Sequence, residues 1–176
     1  MSYSAQAEYQ ALRDTIRERG TVRLCSVLGG LAAWGALSIA LLIAEIEGAI
    51  TLVPLVVLAS TYEINFFIHT GVERIGRYIQ VFYEERAGST GWETIAMKYG
   101  AKFPSGLDPL FSIIFAAATV LNFLGSLPVA GRGSGWIVLS VAGHLAFAYR
   151  MVRARVASRS QRALDLDRFR NFASEG

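Results

Sequence analysis

Between Arg23 and Glu45 the chain carries no charged side chain, and that run limits the possible folds more than any other feature. At about 1.5 Å of rise per residue, Leu24 to Ala44 matches the roughly 30 Å hydrocarbon core of a bilayer. Backbone N–H and C=O groups at that depth must be satisfied within the segment itself, so the run is a helix. A cleaved signal peptide is the competing reading. The run is too long for one, a polar stretch precedes it and no small-x-small pattern follows.

Three further runs read the same way. Residues 49–70 are apolar through Tyr62 and are then interrupted by Glu63, Asn65 and His69. Residues 109–130 are uncharged, with Asp108 as N-cap and Pro109 at the first helical position. Residues 136–152 form the shortest run, with Arg150 just inside its end. The 176 residues are 53% apolar and 18% charged, against about 25% charged in soluble domains. The expected fold is therefore all-α: a polytopic membrane protein with four transmembrane helices at 24–44, 49–70, 109–130 and 136–152. It forms one integral membrane domain over 1–176, with 1–22, 71–108 and 153–176 outside the bilayer. Cys25 is the lone cysteine, so no internal disulfide forms.

Arginines and lysines set the orientation, because positive residues stay on the cytoplasmic side. Arg13, Arg17, Arg19 and Arg23 precede the first run, and Arg74, Arg77, Arg86, Lys98 and Lys102 lie between the second and third. Arg150, Arg153, Arg155, Arg159, Arg162, Arg168 and Arg170 end or follow the fourth, leaving Arg132 alone on the other side. Both termini are expected in the cytoplasm, as in a bacterial-type inner-membrane protein, with tight outer turns at Glu45–Gly48 and Gly131–Gly135.

The cytoplasmic segments have their own pattern. Ser4 to Arg19 reads as an amphipathic helix bearing Ala5, Tyr9, Leu12 and Ile16, with Gly20 as its C-cap. The second run has no proline after His69 and keeps helical periodicity, so one long helix continues to Glu85, broken between Ala87 and Gly91. Thr90 with Glu93 predicts a capping box for a short interfacial helix carrying Trp92, Ile95, Ala96 and Tyr99, stopped at Gly100. The tail from Arg153 to Phe172 reads as a basic helix. Attraction to anionic lipid headgroups accounts for it, whereas a net charge of only +3 and no recognised fold speak against nucleic acid.

Ionisable groups at membrane depth mark function or a specific internal partner. Glu63 and Arg150 fall at matching depths, roughly 21 Å from the outer ends of their helices, and are expected to face each other inside the bundle as a staple or in a transport role. His144 and Asn122 match in the same way, which a hydrogen bond between helices explains. At the exit of the second run, Glu63, His69, Thr70, Glu73, Arg77, Gln80 and Glu84 form a polar stripe opposite Ile64, Ile68, Val72, Ile75, Ile79 and Phe82. His69 and Glu73 are spaced to share a metal, but the sequence places no third ligand and the expectation is no metal. Gly29 with Ala33, Ala32 with Ala36 and Ser26 with Gly30 allow close helix approach within the chain or in a homo-oligomer.

No nucleotide loop, HExxH, GxSxG or CxxC motif is present, so no cofactor is implied and the reading leans away from an enzyme. The leading expectation is a non-enzymatic oligomeric scaffold or partner-binding component, meeting a cytoplasmic protein through its cytoplasmic helices. A small channel or proton-coupled carrier using Glu63 and the stripe from His69 to Glu84 is the alternative. A metal-assisted interfacial enzyme at His69 and Glu73 is the second alternative.

Overall fold

The computed structural model describes residues 3–45, 52–103, 108–127 and 134–175, the side chains of Ala101 and Ser134 excepted. Residues 46–48 and 131–133 of the expected outer turns, and the outer ends of two expected runs at 49–51 and 128–130, lie outside these. The helices are α1 (Tyr3–Ile43), α2 (Val53–Ile79) running into a π-helical turn (Gln80–Glu85), α3 (Trp92–Lys102), α4 (Ser112–Ser126) and α5 (Ser134–Glu175). No strand occurs among the described residues. α1, α2 with its π turn, and α5 are each long and apolar enough to cross a membrane, while α4 is a shorter apolar helix.

Several helix boundaries differ from the sequence reading. Gly20 does not cap a helix, since α1 passes through it without a break. An internal glycine costs about 1 kcal/mol relative to alanine, too little by itself to end a helix that continues into the apolar run as far as Ile43. The capping box at Thr90 and Glu93 does not form: Gly91 is the N-cap without a side-chain bond, and α3 runs past Gly100 to Lys102. α4 begins at Ser112, so Pro109 lies in the preceding turn and the helix has 15 residues instead of the expected full span. The N-cap is Phe111 and not the expected Asp108, although the Asp108 carboxylate accepts from the N–H groups of Leu110 (3.2 Å) in the turn and of Ile113 (3.1 Å) at the start of the helix. Phe111 between them takes a left-handed φ of 54°. The fourth apolar run and the basic tail are one 42-residue helix, α5. The helix from the second run does reach Glu85, and the chain then turns at Gly88 with φ +61°.

The chain divides into two compact units. The first, an apolar unit, comprises residues 23–66 and 108–155. The second, a polar unit, comprises 1–22, 67–107 and 156–176. In the apolar unit Val27, Leu58, Tyr62, Phe115, Phe147 and Met151 form the core. Tyr62 meets Phe115 and Phe147 edge-on, with centroids 5.2 and 5.8 Å away, and its hydroxyl donates to the Met151 carbonyl at 3.3 Å. Asn65 donates to the Leu110 carbonyl at 2.9 Å. Leu28, Val56, Ile113, Leu121, Leu145 and Val152 point outward. Large apolar side chains on the outside and amides and hydroxyls inside reverse the pattern of a protein in water.

Of the small-residue pairs on α1, Gly30 makes the close approach. A Cβ there would collide with the Thr61 side chain of α2, whereas one at Gly29 would meet nothing within 4 Å. Gly30→Ala is therefore expected to destabilise the protein by about 1–3 kcal/mol through overpacking. Thermal unfolding in detergent should show most of that loss restored in Gly30→Ala/Thr61→Ala, which clears the obstructing side chain.

Candidate functional site

In the apolar unit α1, α4 and α5 bring five polar residues into one buried relay. Trp34 can only donate, so the Asn122 atom 2.9 Å from its indole nitrogen is the amide oxygen. The Asn122 amide nitrogen then donates to His144 Nε2 at 3.0 Å. This leaves the ring proton on Nδ1, 2.7 Å from the Ser140 carbonyl that accepts it. The hydroxyls of Ser126 and Ser140 close the relay at 3.2 Å. Asn122 and His144 thus meet as their depths suggest. Trp34, Ser126 and Ser140 lay outside the sequence reading, although their spacing places the two serines one turn from Asn122 and His144.

Glu63 and Arg150 also meet, with Arg150 Nη2 donating to Glu63 Oε2 at 2.7 Å. They do so on the outside of the unit, the two side chains being 45% and 40% exposed, where the sequence reading places them inside the bundle. Tyr62 and Asn65 occupy the inward positions of α2 at this level and are fully buried. One helical step of about 100° from Tyr62 carries Glu63 to the flank. Arg150 stacks over the Phe66 ring, 5.0 Å from its centroid.

The polar unit gathers most of the stripe. His69, Arg77, Gln80 and Glu84 are buried. Glu73 pairs with Arg162 of α5 at 2.8 Å, and Arg74 with Asp165 at 3.5 Å. Arg77 donates to Gln80 Oε1 at 2.8 Å and to Glu93 Oε2 at 3.4 Å, while Arg13 reaches Glu93 Oε1 at 2.6 Å. Burial holds the Arg77 guanidinium below its ordinary pKa, against the raising effect of Glu73 and Glu93. Glu84 accepts from the backbone N–H groups of Glu93 (2.9 Å) and Thr94 (2.8 Å), so α3 is capped by a carboxylate from a neighbouring segment. Gly91 and Gly76 make this possible, since a Cβ at either would strike Glu84 or Glu93.

Glu8 accepts from the Tyr78 hydroxyl at 2.8 Å. Burial and the same carboxylate push the Tyr83 phenol up to about 12. Between α2 and α5, His69, Thr70, Glu73, Arg77, Gln161 and Asp165 border a cavity of about 10 Å³, room for one water at most. Among the described residues no set of three His, Cys, Asp or Glu side chains could hold a metal. Sequence reading missed Asp165 and Gln161, whose four-residue spacing on one face of α5 is the available signal. It also assigned Glu93 to its own helix start.

No family model, no curated protein and no solved structure matches this chain. Its class rests on its own geometry: an all-helical chain with three helices long and apolar enough to cross a membrane.

Two outcomes follow. In lipid the Glu63–Arg150 pair is expected to behave as a charge pair out of water, so Glu63→Gln and Arg150→Met each cost about 3–5 kcal/mol and the double variant recovers most of it. Single losses under about 1 kcal/mol, measured by unfolding in bilayers, would instead place the pair in water. The second outcome concerns Glu85, whose pKa is lowered chiefly by its hydrogen bond from Arg170, at 2.7 Å. Because the folded value lies below the ordinary 4.5, the pair's contribution is complete above that pH and fades as pH falls through the folded value. The melting difference between the parent and Arg170→Met should be constant near neutrality and shrink toward zero as pH drops below 4.5.

Proposed function

We propose that this chain is a non-enzymatic membrane scaffold, spanning the bilayer four times with both ends in the cytoplasm, and that it assembles as a homo-oligomer and presents its polar unit to a cytoplasmic protein. The observation that carries the reading is the closure of the polar stripe. Glu73, Arg77 and Glu84 each engage a residue of α3 or α5. The space beside them holds one water at most. A stripe in that state is a packed seam between helices, which suits a rigid platform better than a conduction path or an active site.

Outward-facing apolar side chains on α4, including Ile113, Val120, Leu121 and Leu124, support its placement in lipid as a fourth span despite its length. Short spans are accommodated by local thinning or by oligomerisation. The arginine asymmetry supports the orientation. Exposed Arg153, Arg155 and Arg159 on α5 supply the attraction to anionic headgroups. Trp92, Ile95, Tyr99 and Phe103 are exposed on or just after α3 beside Lys98 and Lys102, which gives a partner or the bilayer surface an aromatic face to grip.

Cysteine labelling in a Cys25→Ser background, with single cysteines at Gly88, Ser174, Glu45 and Gly135, is expected to modify the first two from the cytoplasmic side and the last two from the opposite side. Purified protein in proteoliposomes is expected to add no proton flux over protein-free vesicles. A flux that disappears in Glu63→Gln would overturn the scaffold reading in favour of a proton-coupled carrier.

A further inference from the structure

Glu63 and Arg150 of the apolar unit carry charge where their surroundings are apolar. No Asp, Glu, Lys or Arg occurs at 48–62 or 64–72, so the nearest other charge along α2, Glu73, is about 15 Å away by helical rise. Arg150 is the first such residue of α5. Both side chains nevertheless open outward, 45% and 40% exposed, and Val56 on the same side of α2 is exposed as well. A guanidinium and a carboxylate can each make several hydrogen bonds. Among the described residues the pair makes one, at 2.7 Å. An ionised group left open to hydrocarbon is costly, and its presence marks a specific contact.

We propose that this outward pair is a two-fold contact with a second copy of the chain, an inference that rests on the homo-oligomer reading above. A carboxylate and a guanidinium side by side at one level form a self-complementary patch. A two-fold axis along the membrane normal exchanges left for right, so each Glu63 meets the Arg150 of the other copy and the four charges close a ring. The pair has no net charge, which gives it no preference for an anionic or a cationic headgroup. A second copy brings both signs in the reverse order at the same depth. Ser60, one turn before Glu63, and Ala146, one turn before Arg150, are exposed and short, so helix backbones can come close around the ring. The Phe66 ring, 5.0 Å from the Arg150 guanidinium, holds that group in place for the contact.

The test is cross-linking of the full chain in vesicles at a high lipid-to-protein ratio, in the Cys25→Ser background. Single cysteines at Ser60 and Ala146, which flank the pair, are expected to yield dimers with a short bis-maleimide. Cysteines at Leu28 on α1 and Leu121 on α4, themselves exposed, are expected to yield none. Glu63→Gln/Arg150→Met, which leaves no lone charge, is expected to fold and to lose the dimer. The exchanged variant Glu63→Arg/Arg150→Glu keeps the pair and is expected to dimerise with itself. With differently tagged parent it should pair about tenfold less, because like charges then face each other. Free mixing of parent and exchanged copies, or a dimer that survives Glu63→Gln/Arg150→Met, would overturn the charge ring. Cross-links at Leu28 or Leu121 with none at Ser60 or Ala146 would overturn the contact and leave the homo-oligomer standing. Single-molecule counting that finds only monomers, their pair covered by lipid, would overturn both.

Discussion

Amides, hydroxyls and charged groups buried away from water must find partners inside the chain, and the polar contacts between helices here answer that requirement. In the apolar unit the bonds that cross between helices include Trp34 to Asn122, Asn122 to His144, Ser126 to Ser140, Arg150 to Glu63 and Tyr62 to the Met151 carbonyl, and Asn65 bonds the Leu110 carbonyl in the turn before α4. Outward-facing leucines and isoleucines gain nothing from burial when the surroundings are as apolar as they are. Packing and a few such bonds then set which helix faces which. The value of each bond lies in register more than in strength, because bonds of this kind average only about 0.6 kcal/mol.

The polar unit answers the same requirement with charge. Arg77 is buried between Gln80 and Glu93, and Glu93 is shared with Arg13, so a segment of α1 and the start of α3 are tied to one side of α2. Breaking such a pair leaves its partner uncompensated, which costs far more than the pair itself contributes. The lattice therefore specifies one arrangement rather than adding much stability. The π turn at Gln80–Glu85 belongs to this logic. It inserts a wider turn where α2 must present Tyr83 toward Tyr9 of α1 and Glu84 toward the N-terminus of α3.

The helices were legible because lipid and water impose opposite patterns on a chain, and a long uncharged run suits little besides a bilayer. Relative level along neighbouring helices was legible as well: counting residues brings Glu63 beside Arg150 and Asn122 beside His144. Rotation about the helix axis was not. The same count cannot tell whether Glu63 faces the core or its flank, and Tyr62 and Asn65, both larger demands on the interior, took the inward positions. Helix caps escape a sequence reading for a related reason. Thr90 and Glu93 satisfy a local rule, yet Arg13 and Arg77 compete for Glu93 from a distance that sequence does not show, and Glu84 takes over the exposed N–H groups. Gly20 fails as a stop signal because a glycine ends a helix only where the chain gains by turning.

The glycines make the sharper distinction. Gly30 on α1 and Gly76 and Gly91 in the polar unit stand where another side chain already fills the space, and they are explained by what they admit. Gly35 and Gly125 stand beside a cavity that no neighbouring side chain fills. The lining of such a cavity forfeits dispersion contacts on every side. Leucine at either position would recover them and the helix propensity as well.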